Sequence, residues 1–182
     1  MKIQWDVIDI GGDDIDAQIT IHEPEDSELL KRLYSEWLSL NKSLKSISTR
    51  GINIPDTITE NAFCLFFPNN VRIVRLKKGK CSYDCINTVT GKTVQVKAAS
   101  VYPDLTSFGP RSEYDELYFL DFSEEDGSFK VYDIPVDVIK KTMVNKKQTF
   151  IDQQKEGKRP RFSIVSSIIE PMKLKPLKVC QL

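Results

Sequence analysis

Two short stretches concentrate side chains able to do chemistry, Cys81-Ser-Tyr-Asp-Cys85 and Gly91-Lys-Thr-Val-Gln-Val-Lys-Ala-Ala-Ser100. Read as a strand, the second stretch puts Thr93, Gln95, Lys97 and Ala99 on one face and Val94, Val96 and Ala98 on the other. The first reads as a neighbouring strand, with Ser82 and Asp84 on one face, joined through Ile86–Gly91, a length suited to a hairpin. Such a hairpin sets Asp84 beside Gln95 and Lys97, so carboxylate, amide and ammonium converge on one patch of sheet. Phosphodiester hydrolysis needs that kind of set. A carboxylate holds a divalent metal that stabilises charge developing on the phosphoryl oxygens. Mg²⁺ takes oxygen ligands and keeps several waters, so Asp84, the Gln95 amide carbonyl and the Val96 backbone carbonyl suffice as protein ligands. A lysine beside the metal orients or helps deprotonate the attacking water and offsets transition-state charge. The same pattern also describes an Asp on one strand with Gln and Lys on the solvent face of the next, and it is too short to decide alone.

The elements around this hairpin follow from periodicity and turn signals. Pro24 and Asp26-Ser27 open a long helix running to about Ile47, with Leu30, Leu33, Trp37, Leu40, Leu44 and Ile47 as a continuous apolar stripe expected to face the core. After the loop Ser48-Thr-Arg-Gly-Ile-Asn-Ile-Pro55 comes a short helix, about Thr57–Phe67, closed by Pro68. Strand-like runs follow at Val71–Leu76, Cys81–Cys85, Thr93–Ala99, Glu116–Phe122 and Phe129–Ile134, most of them separated by Gly-containing turns. A further helix, about Pro135–Val144, leads into a basic C-terminal part. Two helices, a sheet of about five short strands and another helix predict an α/β or α+β domain.

Length and composition bound what this domain can be. The chain of 182 residues, 40% hydrophobic and 29% charged, suits one soluble globular domain spanning 1–182. Its apolar runs, such as Ala62–Phe67, are far too short to span a bilayer. Asp6, Asp9, Asp13 and Asp14 stand where a signal peptide needs basic and then apolar residues, so no export is expected. Four cysteines, at 64, 81, 85 and 180, make no disulfide framework, and Cys64, Cys81 and Cys85 read as buried thiols rather than a zinc site. A reducing cytoplasm is the expected location. The single histidine, His22, in an acidic stretch, argues against Ser-His-Asp hydrolases and histidine-metal nucleases.

Net charge is zero but unevenly placed: residues 1–30 hold nine Asp/Glu against Lys2, and residues 140–182 hold eleven Lys/Arg against Asp152, Glu156 and Glu170. A basic C-terminal segment suits a polyanion partner, although a solvated surface has the same composition. Within it, Lys155, Lys158, Arg159 and Arg161 beside Gln153 and Gln154 supply what reading G·C pairs and gripping phosphates requires. Arg50, Asn53 and Arg111 are further candidates.

The arrangement Ser82-Tyr-Asp84…Gln95-Val-Lys97 resembles the active-site motif of the PD-(D/E)XK nuclease superfamily. That resemblance implies an αβββαβ core with a central mixed sheet flanked by helices, and it gives Glu60, on the helix before the hairpin, the role of an additional acidic residue. Longer stretches resemble one small family within it, the type II restriction endonucleases typified by the Bacillus enzyme that cuts GCNGC. They are Ser48–Pro55, Gln95–Ser100, Asp104-Leu-Thr-Ser-Phe-Gly-Pro110, Asp152-Gln-Gln154 and Gly157-Lys-Arg-Pro-Arg-Phe-Ser-Ile164. The resemblance runs from about Leu29 to Leu177. It implies Mg²⁺-dependent double-strand cleavage of DNA at GCNGC by a bacterial homodimer, with a cognate DNA methyltransferase as genetic partner. Gln95 departs from the commonest superfamily motif, which has Glu or Asp there, and leaves open whether one metal or two is used. Two other functions compete, a structure-specific repair or recombination nuclease and a catalytically silent DNA-binding module.

Overall fold

A computed structural model describes residues 1–48 and 51–182. Among the described residues, ten strands and five helices appear in the order β1 (Lys2–Ile10), β2 (Asp13–Ile21), α1 (Asp26–Ile47), α2 (Asp56–Phe66), β3 (Asn70–Leu76), β4 (Cys85–Asn87), β5 (Thr93–Ala99), β6 (Thr106–Ser107), β7 (Glu116–Asp121), β8 (Ser128–Asp133), α3 (Val136–Lys141), α4 (Phe150–Lys155), β9 (Arg161–Phe162), α5 (Glu170–Met172) and β10 (Lys178–Gln181). A π-helical stretch, Val165–Ile169, runs directly into α5.

Eight strands form one mixed sheet in the order β1-β2-β3-β4-β5-β7-β8-β10. All neighbours are antiparallel except β5 and β7, which pair in parallel from Val94↔Glu116 to Ala99↔Asp121. The five strands expected from sequence form its contiguous centre, β3-β4-β5-β7-β8, and the sheet is extended at both edges by strands the sequence reading did not assign. At one edge, Gly11 and Gly12 (φ +64° and +95°) make the two-residue turn of the hairpin β1–β2. The other edge is β10. A separate two-stranded ribbon pairs β6 with β9, Thr106↔Phe162 and Ser107↔Arg161.

Period two along the central strands builds two cores. Val94 and Val96 of β5 and Leu120 of β7 pack with Leu30, Tyr34 and Trp37 of α1 and with Ala62 and Phe63 of α2. Leu117 and Phe119 of β7 face the other way, against Ile139, Phe150, Phe162, Ile164 and Ile168. A third cluster, Ile8, Ala17, Ile19, Ile73 and Ile86, seats the N-terminal hairpin on β3 and β4. Helices thus cover the centre of the sheet on both faces.

The apolar stripe of α1 does not bury as its spacing suggests. Leu30 and Trp37 are buried, but Leu40 is 52% and Ile47 83% exposed, while Tyr34 and Asn41 point inward. Positions 30, 34, 37 and 41 keep close to the 3.6-residue helical period. The stripe from Leu30 to Ile47 averages only about 3.4 residues per turn, short of the helix's 3.6, so its far end rotates off the core.

Candidate active site

β4 and β5 pair over only two positions, Cys85↔Val94 and Ile86↔Thr93. The strand expected over Cys81–Cys85 instead begins at Cys85, because residues 81–84 bend away and the Ser82 hydroxyl donates to the Glu113 carbonyl at 3.1 Å. Asp84 stands where the ladder ends. Its backbone still bridges both neighbours, with its N–H donating to Val94 O at 3.0 Å and its carbonyl accepting from Ile73 N at 2.9 Å. Its carboxylate takes the ladder's next place: Oδ2 accepts the Val96 N–H at 2.9 Å and the Gln95 side-chain amide. Asp84 and Gln95 therefore meet directly, as the hairpin predicted. Lys97 follows on the same side of β5, its ammonium 5.9 Å from the Phe108 ring centre.

Burial raises the Asp84 pKa, and the Lys97 ammonium opposes that rise. Glu60, on α2, lies close enough for its charge to act on the same site. Its pKa is pushed up to about 7, first by burial and then by the Asp84 charge, against the pull of Arg72. Arg72 Nε donates to Glu60 Oε2 at 2.5 Å. Arg72 was not singled out by sequence; its only signal is an arginine inside the strand Asn70-Val-Arg-Ile-Val-Arg-Leu76.

Among the described residues no three His, Cys, Asp or Glu side chains converge to hold a metal ion. The donor set at the hairpin is different in kind: one carboxylate, one amide oxygen and a backbone carbonyl at Val96, with Glu60 behind them. Oxygen-only donors of low total charge fit a hard cation that keeps much of its water, which is the preference of Mg²⁺. The cysteines supply no competing site. Cys64 and Cys85 lie buried with their sulfurs 3.4 Å apart, and Cys81 Sγ donates to the Tyr83 carbonyl. His22 shares a hydrogen bond of 2.9 Å with Asn61 Oδ1, and burial lowers its pKa, so it is neutral and structural.

The expected DNA-contacting residues divide sharply. Arg50 lies outside the described residues. Asn53 is exposed on a loop that Trp37 and Asn41 tie to α1: the indole N–H reaches the carbonyls of Ile52 and Asn53, at 3.3 and 3.1 Å, and Asn41 Oδ1 accepts the Ile52 N–H at 2.9 Å. Gln154 is committed elsewhere, its amide donating to the carbonyls of Gly109 (3.0 Å) and Ser112 (3.3 Å). Gln153 leans on Gln148 at 3.4 Å, and Lys158 pairs with Glu156 at 2.5 Å. Lys155, Arg159, Arg161 and Arg111 are exposed, and no hydrogen bond or ion pair holds their side chains within the described residues.

In sequence Asp104 is only one residue of the stretch Asp104–Pro110, and its role emerges from the structure. It is almost fully buried. Its carboxylate accepts from Thr106 Oγ1 and Ile164 N, both at 2.9 Å, from Val165 N at 3.2 Å, and from the Ser163 hydroxyl. With the β6–β9 ribbon it fastens the segment after β5 to the segment that carries Arg159 and Arg161.

A mixed sheet clasped by helices, with an Asp…Gln-X-Lys set where two central strands part, defines a nuclease of the restriction-endonuclease type. The comparisons narrow the class. The model of the Bsp6I restriction endonuclease family matches residues 22–171, and the chain belongs to that family. The type II restriction enzyme Bsp6I of Bacillus sp. (strain RFL6) is 35% identical over 154 residues, covering 83% of this chain and 85% of that enzyme. No solved structure matches. The protein is accordingly a type II restriction endonuclease, a site-specific nuclease acting on DNA. No helix among the described residues is long and apolar enough to cross a membrane.

Proposed function

We propose that this endonuclease cuts both strands of a short, nearly palindromic site with Mg²⁺ as cofactor, working as a homodimer whose subunits each read one half-site. The observation that carries the reading is the meeting of the Asp84 carboxylate with the Gln95 amide beside Lys97. Asp84, Gln95 and the Val96 carbonyl would hold the cation, which supplies Lewis-acid stabilisation of the phosphoryl oxygens when bound. Asp84 keeps β5 in register through the Val96 N–H, so the Val96 carbonyl stays in a fixed relation to the carboxylate, and the Gln95 amide, whose nitrogen donates to Asp84, would turn over to offer its oxygen. Lys97 sits within the electrostatic reach of Asp84, where its ammonium orients the attacking water and offsets negative charge as the phosphorus–oxygen bond forms. Glu60, clamped by Arg72, adds a second carboxylate behind the first. Arg159, Arg161 and Lys155 offer their charge to the duplex, with Asn53, Arg50 and Arg111 in support.

The family likeness makes GCNGC the first site to test, and a methyltransferase protecting that sequence in the host cell is the expected genetic partner. Digestion of plasmid DNA with purified protein and Mg²⁺ is the direct experiment. Discrete fragments ending at one sequence support the proposal. Cuts confined to junctions or lesions favour a structure-specific nuclease, and a gel shift without cutting favours a silent binding module.

A further inference from the structure

The loop between β5 and β6, residues 100–105, carries a feature that neither the catalytic set nor the basic segment uses. It exposes Val101, Tyr102, Pro103 and Leu105 in succession, with Tyr102 and Leu105 each 62% exposed. Apolar side chains on a loop tip normally fold inward or give way to polar ones, because water leaves them unrewarded. Here the one polar residue among them, Asp104, is turned inside.

The tip lies between three elements already tied to DNA in the proposed reading. It continues the catalytic strand: Tyr102 is five residues beyond Lys97, at most ~16 Å at strand rise, the span of about five base pairs. On one side a small cavity is lined jointly by Asn53 and Ile54 of the α1–α2 loop and by Val101 and Leu105. On the other, Asp104 and the β6–β9 ribbon lock the tip to Arg161 and its neighbours. The Tyr102 hydroxyl donates to Glu170 Oε1 at 3.3 Å, which fixes the ring while leaving its face open. Between Gln95 and Arg111 the chain holds Asp104 as its single acid, and that charge is spent on the 163–165 backbone, while Glu170 brings a carboxylate to the tip that the Tyr102 hydroxyl engages.

We propose that the Val101–Leu105 tip is a groove-contacting element that determines specificity, packing Tyr102 and Leu105 against base and sugar edges of the bound duplex while Asp104 holds it in step with the basic segment. This rests on the DNA-cleaving function proposed above and extends it to residues with no charge to offer. Non-specific binding is supplied by phosphate contacts, whereas apolar side chains meet bases only when the duplex is seated in its specific geometry. Loss of an apolar contact therefore weakens the cognate complex selectively.

The test measures binding of Tyr102→Ala, Leu105→Ala, Leu105→Met and Lys155→Ala, in Ca²⁺ at several salt concentrations. The probes are a duplex carrying the sequence that the wild type cuts and a random duplex. The tip's alanine variants should lose roughly tenfold in cognate affinity, with random-DNA binding and the salt slope unchanged. Leu105→Met should recover most of the loss, and Lys155→Ala should lower the salt slope by about one unit. Both tip side chains are exposed, so these variants keep wild-type unfolding midpoints. Unchanged cognate affinity overturns the proposal. So does equal weakening on random DNA, or a loss explained by a shift from dimer to monomer in sedimentation, which would make the tip a contact between copies. A wild type that neither cuts nor binds DNA overturns the function and the tip's role together. Failure of the tip alone is distinct, because the wild type then discriminates and its tip variants do so equally well.

Discussion

At the scale of single residues the site is a balance of buried charge. Asp84 and Glu60 are both pushed toward protonation by burial, and Lys97 and Arg72 oppose them. Glu60 in the folded chain titrates near 7 against its ordinary 4.5, so between those values the native state binds more protons than the unfolded one. Without a divalent cation, stability must fall as pH rises from about 4.5 to about 7, on the order of 3 kcal/mol for this group. Glu60→Gln should flatten most of that slope in urea unfolding followed across pH; an identical slope would remove Glu60 as its source. Gln95→Glu adds a carboxylate against Asp84 and should retain cleavage with an altered metal requirement, checked by comparing Mg²⁺ and Mn²⁺ titrations. Gln95 and Lys97 were legible in sequence because they share one face of the strand β5, and Asp84 because it stands at the start of the hairpin, although residues 81–84 do not form the strand expected of them. Arg72 and Asp104 were not, since their partners lie 12 and about 60 positions away in the chain.

At the scale of elements, the strands that hold the site were readable and the devices that fasten them were not. β5 matches its expected bounds because its β-branched and alternating residues follow the Gly91 turn, whereas β4 is short because the Asp84 side chain replaces a ladder partner. The N-terminal hairpin had a signal in Gly11-Gly12 between alternating runs, but the weight of aspartates hid it. The glutamines of α4 show the same lesson. Gln154 reads by composition as a base contact, yet its amide is spent on Gly109 and Ser112. Gln154→Ala should therefore cost about 1 kcal/mol of stability and leave cognate-to-mismatch discrimination intact. Arg159→Ala or Arg161→Ala should do the reverse, costing about 1–3 kcal/mol at one base position with little change in unfolding. Unfolding curves and mismatch binding on the three variants separate the two roles. Thr149→Ala, which breaks the capping box with Asp152, should destabilise α4 by about 1 kcal/mol in the same unfolding assay.

At the scale of the whole molecule, the family match covers 22–171, so the hairpin β1–β2 and the strand β10 add edges outside it. The acidic excess of residues 1–30 is divided between that hairpin and the residues that lead into and begin α1, while the cations of 140–182 lie on the segment proposed to meet DNA. One subunit presents one Asp84–Gln95–Lys97 set for two phosphodiester strands, so sedimentation on cognate DNA should show a dimer. A monomer making concerted double-strand cuts would contradict that. The central claim is that the hairpin around Asp84 performs the cleavage. The measurement that meets it most directly is cleavage and Ca²⁺-supported binding by folded Asp84→Ala and Lys97→Ala proteins on the wild type's own site. Both variants should bind that site as the wild type does and cut neither strand in Mg²⁺. Full cleavage by folded Asp84→Ala protein would contradict the account and move the active centre elsewhere in the fold.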